Sequence, residues 1–320
     1  MKALITGATG FIGSHLCEEL VRRGYKVTCL VRDKSDLKWI ENIDIELTIG
    51  DCEKIEPLLN AVAGFDYVFH LAGLTKACSE DKFFCTNAKG TENLIKAVVE
   101  KNTKLKRFLY LSSLAAVGPS INGSPVHEDS EPRPVSSYGR SKLEGERAVL
   151  KYKDKIPVTI LRPSAVYGPR DKDLFVFFKM LKKGIFPYWG KCSYSLLYVD
   201  DLVKGILLAA ENKNAEGEIF FLADSRAYTN EEIASEIASA LSTKVVRIRV
   251  PKFIMPFFAY IGEKVQRQGI INKDKMSELS YSHWICDTRK AKEELGFIPK
   301  VRIKEGIKWT ADWYRIHRWL

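Results

Sequence analysis

Three glycines spaced three residues apart, Gly7, Gly10 and Gly13, stand between a short apolar run and an amphipathic one, and few folds can use that arrangement. The stretch Thr6-Gly7-Ala8-Thr9-Gly10-Phe11-Ile12-Gly13 leaves a strand over Lys2–Thr6 and opens a helix over Ile12–Arg23, which Gly24 ends as a C-cap. In a strand–turn–helix unit the first glycine permits the tight turn. The second lets the main chain approach a pyrophosphate, whose charge sits at the helix N-terminus, and the third lets helix and strand pack closely. Gly7, Thr9, Gly10, Phe11, Ile12 and Gly13 are therefore candidate contacts to a dinucleotide. Their spacing is GxxGxxG rather than the commoner GxGxxG.

The rest of the first half repeats the theme. Strands are expected at Lys2–Thr6, Lys26–Val31, Ile45–Ile49, Tyr67–Leu71, Arg107–Ser112, Val158–Arg162 and Glu218–Leu222, apolar enough to be buried on both faces. Helical spacing recurs over Asn87–Lys101, Lys142–Tyr152, Asp200–Glu211 and Asn230–Leu241. Alternation of this kind predicts an α/β fold: a Rossmann-type doubly wound parallel sheet with a smaller, mostly helical C-terminal substrate domain. The 320 residues suit one large domain and a smaller one. Residues 1–165 form the dinucleotide-binding part, to which 196–222 returns. Residues 166–195 and 223–320 form the substrate part, with pocket-forming loops at Gly168-Pro169 and Pro187-Tyr188-Trp189-Gly190.

Charge narrows the partners. Residues 1–243 carry 33 basic and 32 acidic side chains and residues 244–320 carry 17 and 8, so the tail holds +9 of the net +10. Its cations are scattered, with no run of five like charges, which argues against a nucleic-acid arm and for a solvated face. Seven cysteines form no CxxC pair and no metal-ligand spacing, so no metal site is expected. Their odd number and scatter fit a reducing, cytoplasmic setting. No apolar run approaches the roughly 20 residues that span a bilayer. The most lipid-like piece, residues 253–261, is interrupted by Pro256 and reads as a pocket wall or core helix, with a peripheral membrane foot the less favoured reading.

The end of the second strand bears on which nucleotide fits. An NAD site usually places Asp or Glu there to bond the ribose 2′-OH. Here Val31 is followed by Arg32, and a guanidinium suits a 2′-phosphate; Asp33 comes next. NADP is the expected cofactor, with NAD as the alternative.

Tyr138 and Lys142 are four apart, on one face of a helix. A phenol titrates near pH 10 alone, and a neighbouring ammonium and an oxidised nicotinamide would together favour its anion, which makes Tyr138 a usable acid/base. Ser113 closes the strand ending Leu111-Ser112-Ser113, at the sheet edge where ligands gather, and its hydroxyl can hold a reacting oxygen. The candidate catalytic set is Ser113, Tyr138 and Lys142.

With TGATGFIG at 6–13, HLAG at 70–73, LSS at 111–113, YGRSK at 138–142, LRPSAVYGP at 161–169 and YVDD at 198–201, the chain resembles an extended short-chain dehydrogenase/reductase of the NAD(P)-dependent epimerase/dehydratase superfamily nearly end to end. The resemblance implies Tyr138 as acid/base, Lys142 bonding the ribose while lowering the tyrosine pKa, and Ser113 orienting the substrate oxygen. It implies Asp51, Cys52 and Leu71, Ala72 and Gly73 on the adenosine side, and Pro163 to Val166 near the nicotinamide. Asn87 is structural or a water relay on the same grounds. Members often dimerise through a four-helix contact, so a homodimer is the assembly the resemblance implies. Two departures narrow the reaction. The 4,6-dehydratases place an Asp-Glu pair after the active hydroxyl residue, whereas Leu114-Ala115 stands here, which disfavours water elimination. Val31-Arg32 is closer to the reductase branch of dihydroflavonol reductases and hydroxysteroid-dehydrogenase-like proteins. The expected reaction is NADP-dependent interconversion of a secondary alcohol and a ketone on a small-molecule substrate. The alternative is an NAD-dependent nucleotide-sugar epimerase, for which Arg247, Arg249 or Arg289 would meet a diphosphate.

Overall fold

A computed structural model describes residues 1–250 and 273–320. The apolar segment 253–261, with its pocket-wall and membrane-foot readings, lies outside the described residues. Strands β1 (Lys2–Thr6), β2 (Lys26–Val31), β3 (Glu46–Ile49), β4 (Tyr67–His70), β5 (Arg107–Leu111) and β6 (Val158–Pro163) join one sheet. After β7 (Ala165–Tyr167), β8 (Ile185–Tyr188) and β9 (Ser193–Tyr198), β10 (Ile219–Leu222) returns to its edge. The order is β10-β6-β5-β4-β1-β2-β3 and every pairing is parallel. Chain order reverses at β1, which has β2 on one side and β4 on the other, so a crevice opens at the carboxyl ends of these strands.

Alternate residues feed two apolar layers, as a strand's period of two requires. Ala3 and Ile5 of β1 face Leu16, Cys17 and Leu20 of α1 (Phe11–Arg22), with Leu202 and Ile206 of a later helix, Val199–Glu211. Leu4, Val68, Phe108 and Tyr110 face the other way, against Leu58, Leu94, Val98 and Val149. Each such side chain, once fully buried, contributes about 1.5–3 kcal/mol.

Two helices were placed late by periodicity. The expected Asn87–Lys101 helix is the end of a longer run, Glu80–Phe83, then a π-helical turn over Phe84–Lys89, then Gly90–Lys101. The expected Lys142–Tyr152 helix begins at Ser137 and ends at Leu150, so Tyr138 lies in its first turn. Ser136 is the reason: its Oγ accepts a hydrogen bond from Gly139 N at 3.0 Å.

Short strands occupy segments expected to be loops. Ala165–Tyr167, Ala227–Thr229 and His283–Trp284 all pair with Ser193–Tyr198, and Val246–Arg249 pairs with Ile185–Tyr188. A third apolar cluster gathers here, with Phe178, Leu181, Tyr228, Ile233, Ile237, Ile303, Ile307 and Tyr314 at its centre. The helix Arg289–Leu295 behaves differently: its Ala291 and Leu295, with Phe297, pack back onto the large sheet.

Candidate active site

The glycine turn is shaped by what its neighbours leave no room for. Gly7 has φ +77°, and a Cβ there would sit 2.6 Å from Ala72 N. A Cβ on Gly13 would sit 2.1 Å from Gly7 O. Gly10 differs: its nearest neighbour would be 3.3 Å away, and it is exposed. It is also the N-cap of α1, where no side chain caps the helix and the first turn holds no acid. Helix N–H groups and dipole therefore face an open space that suits an anion.

The other expected adenosine-side residues line the same edge. Arg32 follows β2 directly, is exposed, and has no ion-pair partner among the described residues. Its charge reaches the Cys52 thiol, which burial pushes up to about 12. Asp51 turns its Oδ1 to Glu53 N at 3.0 Å. Leu71 and Ala72 donate to Thr6 O (3.1 Å) and Thr6 Oγ1 (3.2 Å), which fixes the chain after β4 beside the glycine turn. Beneath it His70 is buried between Thr6 Oγ1 at 2.6 Å and Thr91 Oγ1 at 2.8 Å. Because Thr91 Oγ1 donates to Asn87 O, it accepts from His70 Nε2, so the imidazole is neutral with its proton on Nε2. Burial, with the Lys142 charge, holds the ring's pKa down to about 3.

At the other end of the crevice, the helix Ser137–Leu150 carries Tyr138 and Lys142. Its first turn is held by three oxygens. Ser136 caps Gly139, and the Asp274 carboxylate accepts from Ser137 N at 2.5 Å and Tyr138 N at 3.0 Å. Ser136 in turn donates to Glu278 at 3.0 Å. Asp274 and Glu278 belong to the helix Lys273–Leu279 and were not anticipated. Ser113 ends the next loop of the crevice; its Oγ accepts from Ala115 N at 3.1 Å and lies against the Tyr138 phenol.

Lys142 is buried. Its Nζ donates to Leu111 O at 2.6 Å and stands 4.3 Å from the Tyr110 ring centroid. Loop 71–73 passes beside it: a Cβ on Gly73 would lie 3.6 Å from Nζ. Burial lowers the Lys142 pKa to about 7, with the Glu146 charge opposing the fall. Burial also raises Tyr138 to about 12, with the Ser113 hydrogen bond pulling it back. The lowered phenol is thus not a property of the protein alone: burial dominates, and the charges that reach the ring, Glu278 and Asp173, raise it further. At neutral pH Tyr138 therefore keeps its proton.

Asn87, in the π-helical turn, accepts from Leu74 N at 2.7 Å and donates to Leu74 O and Ser141 Oγ, pinning loop 71–74 to the helix Ser137–Leu150. Pro163 pairs with Leu222 at the end of β6, and Val166 lies in β7. Between them Ser164 Oγ is buried with no hydrogen-bond partner among the described residues. An uncapped helix start, an open Gly10 and an orphaned hydroxyl in the 163–166 segment all fit a nicotinamide dinucleotide. No helix among the described residues is long and apolar enough to cross a membrane.

A family model described as the NAD dependent epimerase/dehydratase family matches residues 3–223. Among curated relatives, the 4-hydroxy-2-methyl-3-oxo-4-farnesyl-3,4-dihydroquinoline-1-oxide ketoreductase of Stigmatella aurantiaca is 27% identical, covering 96% of this chain and 95% of that one. The UDP-glucose 4-epimerase of Vibrio cholerae is 28% identical, covering 97% and 94%. Among solved structures, the UDP-glucose 4-epimerase of Thermotoga maritima superposes with a TM-score of 0.81 at 25% identity, covering 99% and 100%.

Proposed function

Because the chain belongs to the NAD-dependent epimerase/dehydratase family, we propose that it is an NADP-dependent oxidoreductase interconverting a secondary alcohol and a ketone, with Tyr138 as acid/base. One observation carries this reading: the Tyr138 phenol and Ser113 hydroxyl meet at the carboxyl end of β5, while Leu114-Ala115 offers no second acid or base. Gly7 to Gly13, Asp51, Cys52 and Leu71 to Gly73 would hold the dinucleotide, Pro163 to Val166 would face its nicotinamide, and Arg32 would take a 2′-phosphate. The bound cofactor supplies or accepts the hydride. Ser113 orients the substrate oxygen. Tyr138, which keeps its proton at neutral pH, gives that proton to the oxygen during reduction and recovers it during oxidation, a role typically worth 10²–10⁴-fold in rate. Lys142 bonds the nicotinamide ribose.

Residues 166–195 and 223–320 would enclose the substrate, supported by the third apolar cluster, and the apolar sequence of 253–261 favours a hydrophobic ketone over a sugar nucleotide. Seven free thiols favour a reducing, cytoplasmic setting. Purified protein given NADPH and a panel of ketones should show steady NADPH oxidation, with weakly held NADP in the fresh preparation. The second reading, an NAD-dependent epimerase, draws on the UDP-glucose 4-epimerase relatives. NAD that survives dialysis, with interconversion of UDP-hexoses and no net cofactor change, would replace the first reading by the second.

A further inference from the structure

Tyr138, Lys142 and Glu146 follow one another at four-residue intervals, so they form a single stripe on the catalytic helix. The first two were expected to act together. The third reads from the sequence as an ordinary surface charge, yet Glu146 is 1% exposed. Its carboxylate takes three hydrogen bonds: from Ser112 Oγ at 2.5 Å, Arg162 Nε at 2.9 Å and Arg162 Nη2 at 2.7 Å. Arg162, 3% exposed, also donates to Glu128 O at 3.1 Å. The residue before Ser112 is Leu111, whose carbonyl holds Lys142. Two consecutive residues at the end of β5 therefore grip two charges of the helix, and Ser113, next in line, meets its tyrosine.

Stability is a poor explanation for such an arrangement, since a buried ion pair is often matched or bettered by apolar side chains of the same volume. The cluster's position explains it better. We propose that Glu146 is a positioning residue for the proposed oxidoreduction: clamped by Arg162 and Ser112, its carboxylate holds the catalytic helix in register with β5 and stands as the counter-charge one turn beyond Lys142. This inference rests on the Ser113/Tyr138/Lys142 reading. Among the described residues, Glu146 is the one anion whose charge reaches Lys142. Tyr138 on its own helix and Tyr110 on β5 keep their protons, His70 on β4 is neutral, and Arg162 on β6 is itself a cation. An anion near an ammonium favours its charged form, and its removal lets burial act alone.

The test reads Lys142 directly. Full-length protein carrying [13C]lysine is titrated by NMR, with the Lys142 resonance identified by its loss in Lys142→Met. The wild-type midpoint should lie near 7. In Glu146→Gln it should fall by about one pH unit or more, and in Glu146→Asp it should return toward wild type. Should Glu146→Gln not fold, the double variant Glu146→Gln/Arg162→Met removes the pair together, the better-tolerated change, and should show a fall in the same direction but smaller, because a cation leaves with the anion. A midpoint unmoved in the folded variant overturns the proposal, because a purely structural carboxylate would cost stability without shifting a lysine titration. Ketone reduction by Tyr138→Phe separates the two readings. Retained turnover would remove the tyrosine reading and leave the Lys142 midpoints as measured; lost turnover with an unmoved midpoint would remove only the role of Glu146.

Discussion

The two ends of the crevice are built by opposite means. At β1 the chain is shaped by missing side chains: Gly7 and Gly13 lie against backbone with no space for a methyl group. At β5 it is shaped by side chains that are costly to bury, with Lys142, Glu146 and Arg162 all inside. Steric exclusion acts at contact distance and is indifferent to pH. Buried charge draws partners from across the chain and responds to every proton. The β1 end is therefore rigid by construction, and the β5 end is tunable.

Five outcomes would break or sharpen that contrast. The largest is expected from Tyr138→Phe, which should lower turnover by about 10²–10⁴-fold while leaving nucleotide binding and melting temperature as they were. Turnover is followed by NADPH absorbance, and an unchanged rate would take the tyrosine out of the chemistry. Next, Gly13→Ala should destabilise the fold by about 3 kcal/mol, since its new methyl group meets a backbone oxygen rather than a movable side chain. Gly10→Ala should change stability by less than about 0.5 kcal/mol yet weaken nucleotide binding. Equal destabilisation in urea would show that Gly10 is also a fold requirement.

Arg32→Ala should weaken NADP binding about tenfold or more, the worth of a hydrogen bond to a charged group, and leave NAD binding unchanged. Calorimetric titration with both nucleotides decides it; a parallel loss for both would deny Arg32 the 2′-phosphate. The smallest effect concerns His70, which sits between the two ends. Its folded pKa, about 3, lies below the usual value of 6.5, so between those values the unfolded chain binds more protons. Stability is then complete above 6.5 and falls as pH drops, by about 1 kcal/mol over the first pH unit. His70→Asn should flatten that limb of a denaturation series, and an unchanged slope would mean other groups cause it.

Much of this molecule can be read from its letters, for identifiable reasons. The glycine turn, the strands of the large sheet and the Tyr138–Lys142 pair depend on neighbours within a few residues, where spacing alone reports geometry. Asn230–Leu241 was placed to the residue because Thr229 and Glu232 form a reciprocal cap. What stayed hidden depends on distance. Asp274 caps a helix 136 residues upstream, and Arg162 becomes a partner of Glu146 only when β6 lies beside β5. Glu146 did leave one signal, its place four residues past Lys142, but a glutamate on a helix is usually solvated. The short strands of the C-terminal half were missed because they lack the continuous buried apolar runs that mark the large sheet: Val246–Arg249 is exposed throughout and Ala165–Tyr167 is three residues long.

The π-helical turn at Phe84–Lys89 has a consequence for how this chain can be lengthened or shortened. A π-turn accommodates one residue more than a regular helix would, and Asn87 lies within it. Deleting one residue there would let the helix close regularly with both flanks still facing as they do, so the change would fall on the bulge itself, whose residues would shift by about 100° around the axis. The amide that ties Leu74 to Ser141 would then face elsewhere, with every remaining side chain still of the right type. In this span the count of residues carries information that their identities do not, so a gap closed there by a sequence editor would be a lesion that no substitution matrix records.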